Sequence, residues 1–121
     1  MRFLGYTIGD DSVPLATPTP EVFAEMGQFM AEAVNAGVLI ATGGLAPTAD
    51  GTTIRLENGK YTITDGPYTE AKELIGGWAL LDCASKEEAI EWSKRFLAIN
   101  GSGETRLRRV FGAEDVGPTG L

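Results

Sequence analysis

The chain has 121 residues, one domain's worth, and can bury roughly two thirds of its unfolded surface without cross-links. Ten Lys and Arg against 17 Asp and Glu leave a net charge of −7, the wrong sign for a phosphate-backbone binder, so no nucleic-acid partner is expected. With no His and a single Cys the chain cannot assemble a Ser-His-Asp triad, a Cys-His pair, a zinc finger or an internal disulfide, and no metal or cofactor is expected.

Arg2 to Ile8 has a strand's composition, with Leu4, Tyr6 and Ile8 on one face, and runs into a long loop that continues to Pro18 and Pro20. Thr19 before Pro20 reads as a helix N-cap followed by proline at the first helical position. Val22, Met26, Phe29, Met30 and Ala33 then recur at helical spacing to about Ala36, with Gly37 as the left-handed stop. Val38 to Thr42 begins a second strand, and Gly43-Gly44 reads first as a bulge or turn and second as a close approach to a ligand. Without G-x-G-x-x-G spacing this pair is poor evidence for phosphate binding.

Asn58-Gly59 between two β-branched runs predicts a two-residue type I′ turn. The register that follows pairs Glu57 with Lys60, Leu56 with Tyr61, Arg55 with Thr62, Ile54 with Ile63 and Thr53 with Thr64. It sorts every apolar residue to one side, which a slip of one residue would undo. Leu74 to Asp82 is apolar on both faces and is expected at the centre of a sheet, with Gly76-Gly77 reading first as a bulge or close packing against a partner subunit and second as room made for a ligand. Ser85 and Glu88 form a capping box. Ala89, Ile90, Ser93, Phe96 and Leu97 make the buried stripe of a second helix ending near Asn100-Gly101, and the last strand is Glu104 to Phe111. Cys83, at the end of an apolar strand, reads as core.

Strand, helix, strand, hairpin, strand, helix, strand is an α+β order. It predicts a ferredoxin-like sandwich with an inserted β-hairpin, spanning residues 1–112 and followed by a tail at 113–121 that lies on the surface or on a neighbouring subunit. Both helices then cover one face of the sheet. Leu4 or Phe3, Trp78 or Ile75, Leu39 and Leu107 cannot all point at them, so a homodimer packed sheet to sheet is expected. The longest apolar runs, Val38 to Ala41 and Trp78 to Leu81, are too short to cross a bilayer, and the N-terminal segment lacks a signal peptide's apolar stretch. A cytoplasmic protein without a membrane partner is the expectation.

The densest candidate site is Asp65-Gly66-Pro67-Tyr68, a carboxylate at a strand end fixed by glycine and proline, followed by Glu70, Lys72 and Glu73. Composition allows an Asx-type turn and a solvated charge run. It equally allows a carboxylate, an ammonium and a turn around one small acidic or phenolic molecule. As an enzyme, the chain would use Asp65 or Glu70 as base for proton abstraction or elimination, with Lys72 or Arg108 stabilising the anion. Lys72, however, lowers the pKa of such a base rather than raising it. Arg106 and Arg108 share one face of the last strand and Arg109 takes the other, fitting either an anion site or a charge-protected edge.

The segment TDGPYTEAKELIGGWALLD at 64–82 resembles the YCII-related family in its DGPF-domain branch, and AGVLIATGGLAP at 36–47, ASKEEAIEWSKR at 84–95 and ETRLRRVF at 104–111 follow in that family's order. The resemblance implies a dimeric α+β barrel, with Asp65, Gly66, Pro67, Glu70, Lys72, Glu73, Gly76, Gly77 and Arg108 as pattern positions and Tyr68 where Phe is usual. It also implies kinship with muconolactone isomerase-like proteins and a dehydrochlorinase of a chlorinated aromatic diol, and an association with extracytoplasmic-function sigma factors. The His on the first helix and the Asp after the second that mark the better-studied branch are missing, since the chain lacks His and has Ala98-Ile99-Asn100 at the latter place. Together these features point to a binding domain for a small anionic or aromatic molecule, with a carboxylate-based isomerase or lyase and a regulatory interaction module as alternatives.

Overall fold

A computed structural model describes residues 1–9, 18–66, 74–112 and 115. The elements run β1 (Arg2–Gly9), α1 (Pro20–Asn35), β2 (Leu39–Gly44), a 3₁₀ turn at Thr48–Asp50, β3 (Thr52–Glu57), β4 (Lys60–Asp65), β5 (Leu74–Asp82), α2 (Lys86–Asn100) and β6 (Glu104–Val110). β2, β5, β1 and β6 form, in that order, a fully antiparallel four-stranded sheet, while β3 and β4 form a separate two-stranded one. This is the ferredoxin-like order with an inserted hairpin, and β5 is central because its apolar residues need neighbours on both edges.

Local chemistry sets the helix ends. Thr19 Oγ1 accepts the Val22 N–H at 3.2 Å and Pro20 opens α1. Ser85 Oγ accepts the Glu88 N–H at 3.2 Å, and Glu88 Oε2 accepts the Ala84 N–H, so the box closes one residue before the cap. Gly37 and Gly101, at φ 74° and 91°, terminate the two helices in the left-handed region. The hairpin has the predicted register throughout, with Asn58 and Gly59 at φ 51° and 76°.

Phe3, Val38, Leu81, Cys83 and Ala89 form the buried core between the sheet and α2, with Leu39, Ala79, Trp92 and Leu107 packed against it. Alternation from Phe3 puts Leu4, Tyr6 and Ile8 on the face away from the helices, opposite Leu80, Trp78 and Ile75 of β5 and Arg108, Arg106 and Glu104 of β6. Leu39 and Leu107 therefore face the helices, and the uncovered face, the side that no described helix covers, belongs to Leu4, Tyr6, Ile8, Ile75, Trp78 and Leu80. Trp92, absent from the stripe expected of α2, lies on its inner face three residues after Ala89.

The glycine pairs resolve differently from each other. Gly76 and Gly77 together oppose Thr7, so the expected bulge is there, and it switches strand parity so that Ile75 shares a face with Trp78. Gly43 and Gly44 are instead regular strand residues paired with Trp78 and Gly77, and the irregularity of β2 falls between Leu39 and Ala41. A Cβ at 43 would come within 3.0–3.1 Å of the Trp78 indole, so a larger residue there fits only if the indole shifts by a few tenths of an ångström.

Thr7 holds the bulge closed: its Oγ1 accepts the Gly77 N–H at 2.7 Å and donates to the Gly77 carbonyl at 3.4 Å. Thr7→Val keeps the shape and strands a partly buried N–H, so urea unfolding is expected to show a loss of about 1–3 kcal/mol, largely recovered in Thr7→Ser.

Candidate functional site

Towards Phe3 and Ala89 the space between sheet and helices is filled, but towards the bulge the inward strand positions are small: Gly5 and Thr7 on β1, Gly77 and Ala79 on β5, Thr42 on β2 and Thr105 on β6. The result is a cavity of about 230 Å³. The helices roof it with Met26, Phe29, Met30 and Ala33 of α1 and Trp92, Ser93 and Phe96 of α2. Tyr6 and Trp78 also border it. By alternation their rings lie on the opposite face, so they reach it through the backbone. No charged side chain lines the cavity among the described residues.

The hydroxyls in this wall have protons that are already engaged. Thr42 Oγ1 donates to the Trp78 carbonyl at 2.8 Å, Ser93 Oγ to the Ala89 carbonyl at 2.8 Å, and Thr105 Oγ1 to the Tyr6 carbonyl at 3.1 Å. What they offer an occupant is lone pairs, which suits a molecule that donates a hydrogen bond and gives nothing to one that only accepts. Two of the aromatic walls are held from outside. The Arg95 guanidinium lies 5.0 Å from the Phe29 ring centre and 4.8 Å from that of Trp92, and it forms an ion pair with Glu32 across the helices.

Asp65 and Gly66 lie elsewhere, outside the cavity wall. Asp65 ends β4, is exposed, and its Oδ1 accepts the Thr52 hydroxyl at 3.2 Å. Gly66 follows, its N–H donating to the Gly51 carbonyl at 2.7 Å. Pro67, Tyr68, Glu70, Lys72 and Glu73 lie outside the described residues. Arg108 is exposed on β6 opposite Leu4, on the sheet face away from the helices and the cavity. Its neighbour Arg106 pairs with Glu104 at 3.0 Å. Arg109 donates to Asp115 at 2.8 Å, and Asp115, which also accepts the Gly112 N–H, is held below the usual carboxylate range chiefly by that backbone bond. Apart from Asp115, the tail at 113–121 is outside the described residues. The cavity itself has no motif. Its sequence trace is a set of small residues on strands distant in the chain.

Cys83 is buried, and burial, with Glu88 and Asp82 adding to it, raises its thiol above the ordinary value of 9.0. Because the folded value is the higher one, the stability this group contributes is present below the unfolded thiol's range and lost as pH rises through the folded value. Urea unfolding is therefore expected to weaken more steeply above about pH 9 for the natural chain than for Cys83→Ala.

Among the described residues no three His, Cys, Asp or Glu side chains cluster as metal ligands, and no helix is long and apolar enough to cross a membrane. The chain is similar to a solved 5-chloro-2-hydroxyhydroquinone dehydrochlorinase from Burkholderia phenoliruptrix AC1100, in complex with 2,5-dihydroxybenzoquinone. That likeness has 13% identity and a TM-score of 0.44 over 95% of this chain and 98% of that one, too slight to transfer a residue or an activity. An uncharacterized protein of Rhizobium meliloti (strain 1021), R00369, is 34% identical over 103 residues, covering 80% of this chain and 83% of its own. The YCII-related domain matches residues 1–111. With nearly the whole chain matched, this protein belongs to the YCII-related domain family.

Proposed function

We propose that the protein binds a small, uncharged aromatic molecule bearing a hydrogen-bond donor, in the cavity between the helices and the four-stranded sheet, and that it does so as a homodimer. The observation that carries the ligand half is the cavity's wall: aromatic and thioether side chains above, small residues below, and hydroxyl oxygens with lone pairs to spare. Its volume of about 230 Å³ suits one substituted ring. Among the described residues a carboxylate would meet no charged side chain there, and the hydroxyl protons are already engaged, which favours the aromatic over the anionic reading.

Supporting the dimer is the uncovered sheet face, where Leu4, Tyr6, Ile8, Trp78 and Leu80 are half-buried and Ile75 is 45% exposed. Asp65 stands at the root of the hairpin and is not among the cavity residues, so Asp65→Asn is expected to leave aromatic binding unchanged.

The test uses Trp78→Phe, which leaves Trp92, in the cavity wall, as the fluorescent reporter. Phenol is expected to change its emission saturably at micromolar to low millimolar concentration, with benzoate at least about tenfold weaker. Absence of a saturable response to phenol, or a preference for benzoate, sinks the reading.

A further inference from the structure

The hairpin is well formed, but among the described residues no other element packs on its apolar side. Ile54 and Ile63, and Leu56 and Tyr61, face each other across the strands on one surface, exposed by 69%, 69%, 57% and 72%. Thr53, Arg55, Glu57, Lys60, Thr62 and Thr64 take the other surface. Two strands without a covered apolar face are marginal in water, and a hairpin meant for solvent on both sides has no reason to sort its residues this way. The four side chains expose roughly 500 Å², at the upper end for a single patch on a monomer.

We infer that this hairpin is an association arm whose Ile54, Leu56, Tyr61 and Ile63 surface packs on the uncovered sheet face of a second copy of this chain, reciprocally. The inference rests on the homodimer reading above and adds the element that completes the contact. A stable interface buries about 800 Å² per partner, which the hairpin patch alone does not reach. The sheet face that no described helix covers adds Ile75 at 45% and Val110 at 39% exposure beside Leu4, Tyr6, Trp78 and Leu80; its β1 and β5 part is apolar like the hairpin patch, while Arg106, Arg108 and Glu104 of β6 give it a charged margin. A two-fold axis brings each patch onto the other and leaves neither in water. A lipid surface is a poor alternative occupant: the chain carries −7, and the hairpin's flank offers only Arg55 and Lys60 against Glu57.

The experiment compares the natural chain, Ile54→Thr/Ile63→Thr on the apolar side and Thr62→Lys on the polar side by sedimentation equilibrium, with circular dichroism to check folding. The apolar-side variant is expected to dimerise at least roughly a hundredfold more weakly, and Thr62→Lys to match the natural chain. Should the double variant misfold, Tyr61→benzoylphenylalanine in the otherwise natural chain serves instead. Illumination is expected to join two copies, with the cross-linked peptide drawn from β1, β5 or β6. A natural chain that is monomeric at about 10 μM overturns this inference and the dimer reading together. A dimer unaffected by Ile54→Thr/Ile63→Thr, a cross-link confined to one chain or to the facing hairpin, or hairpin-dependent binding to phosphatidylcholine vesicles with copy number unchanged overturns the arm alone.

Discussion

Gly66→Ala is expected to destabilise the root of the hairpin by about 3 kcal/mol, although the position is neither buried nor in a left-handed conformation. A Cβ built at Gly66 falls onto the carbonyl oxygen of Thr48, with that carbonyl's carbon at 3.0 Å and the Gly51 oxygen at 3.3 Å. All three are backbone atoms of the 3₁₀ turn and its exit, so no side-chain rotation relieves the overlap. The chain must give up the bond from the Gly66 N–H to the Gly51 carbonyl, or the turn must move. Hydrogen exchange is expected to accelerate by about a hundredfold over residues 48–66 while α1 and α2 keep their protection. Gly44→Ala is the control: nothing lies within 4 Å of its Cβ, and the change is expected to be close to neutral. Equal exchange in the two variants would show that Gly66 is not sterically required. This gives the glycine of the Asp65-Gly66-Pro67 motif a structural cause independent of any catalytic role.

Ala79→Leu is expected to abolish binding of phenol and at the same time to raise stability by about 0.5–2 kcal/mol. Ala79 lies on the helix-facing side of β5, packs against the core and borders the cavity. Three further carbons there fill space that now makes no contacts, against Met, Phe and Trp side chains able to receive them. Opposite signs for binding and stability distinguish an occupied cavity from a packing defect. Loss of both would mean that the site is too tight for leucine, and unchanged binding would place the ligand elsewhere. Leu80→Ala, on the adjacent residue but the opposite face, is expected to leave phenol affinity alone.

The contrast between the hairpin and the cavity shows where information about this fold resides. The register of β3 and β4 could be read because a two-residue turn dictates every pairing behind it, and a wrong pairing would mix Ile and Tyr with Arg and Lys. Thr19, Ser85, Gly37 and Gly101 were legible for the same reason: a cap acts within four residues of itself. The strand order followed from the succession of elements, since β5 has no polar face to give to solvent. Of the candidate site, Asp65, Gly66 and Arg108 could be singled out by residue type, whereas the cavity could not, because Thr, Ser and Ala in a strand or helix announce nothing.

What the amino-acid order determined by itself was therefore local: helix limits, hairpin register, the alternation of Arg106, Arg108 and Arg109, and the family to which the chain belongs. Tertiary structure alone decided which small residues meet. Gly5 and Thr7 come beside Gly77 and Ala79 only when β1 and β5 pair across some seventy residues of chain, and Thr42 and Thr105 join them from the outer strands. It likewise settled the parity of β5, because the two-against-one match at Gly76-Gly77 depends on the partner strand and moves Ile75 and Trp78 to the same side. Empty space is a property of surfaces brought together from different parts of the chain, and no stretch of either surface records how well the other will fill it.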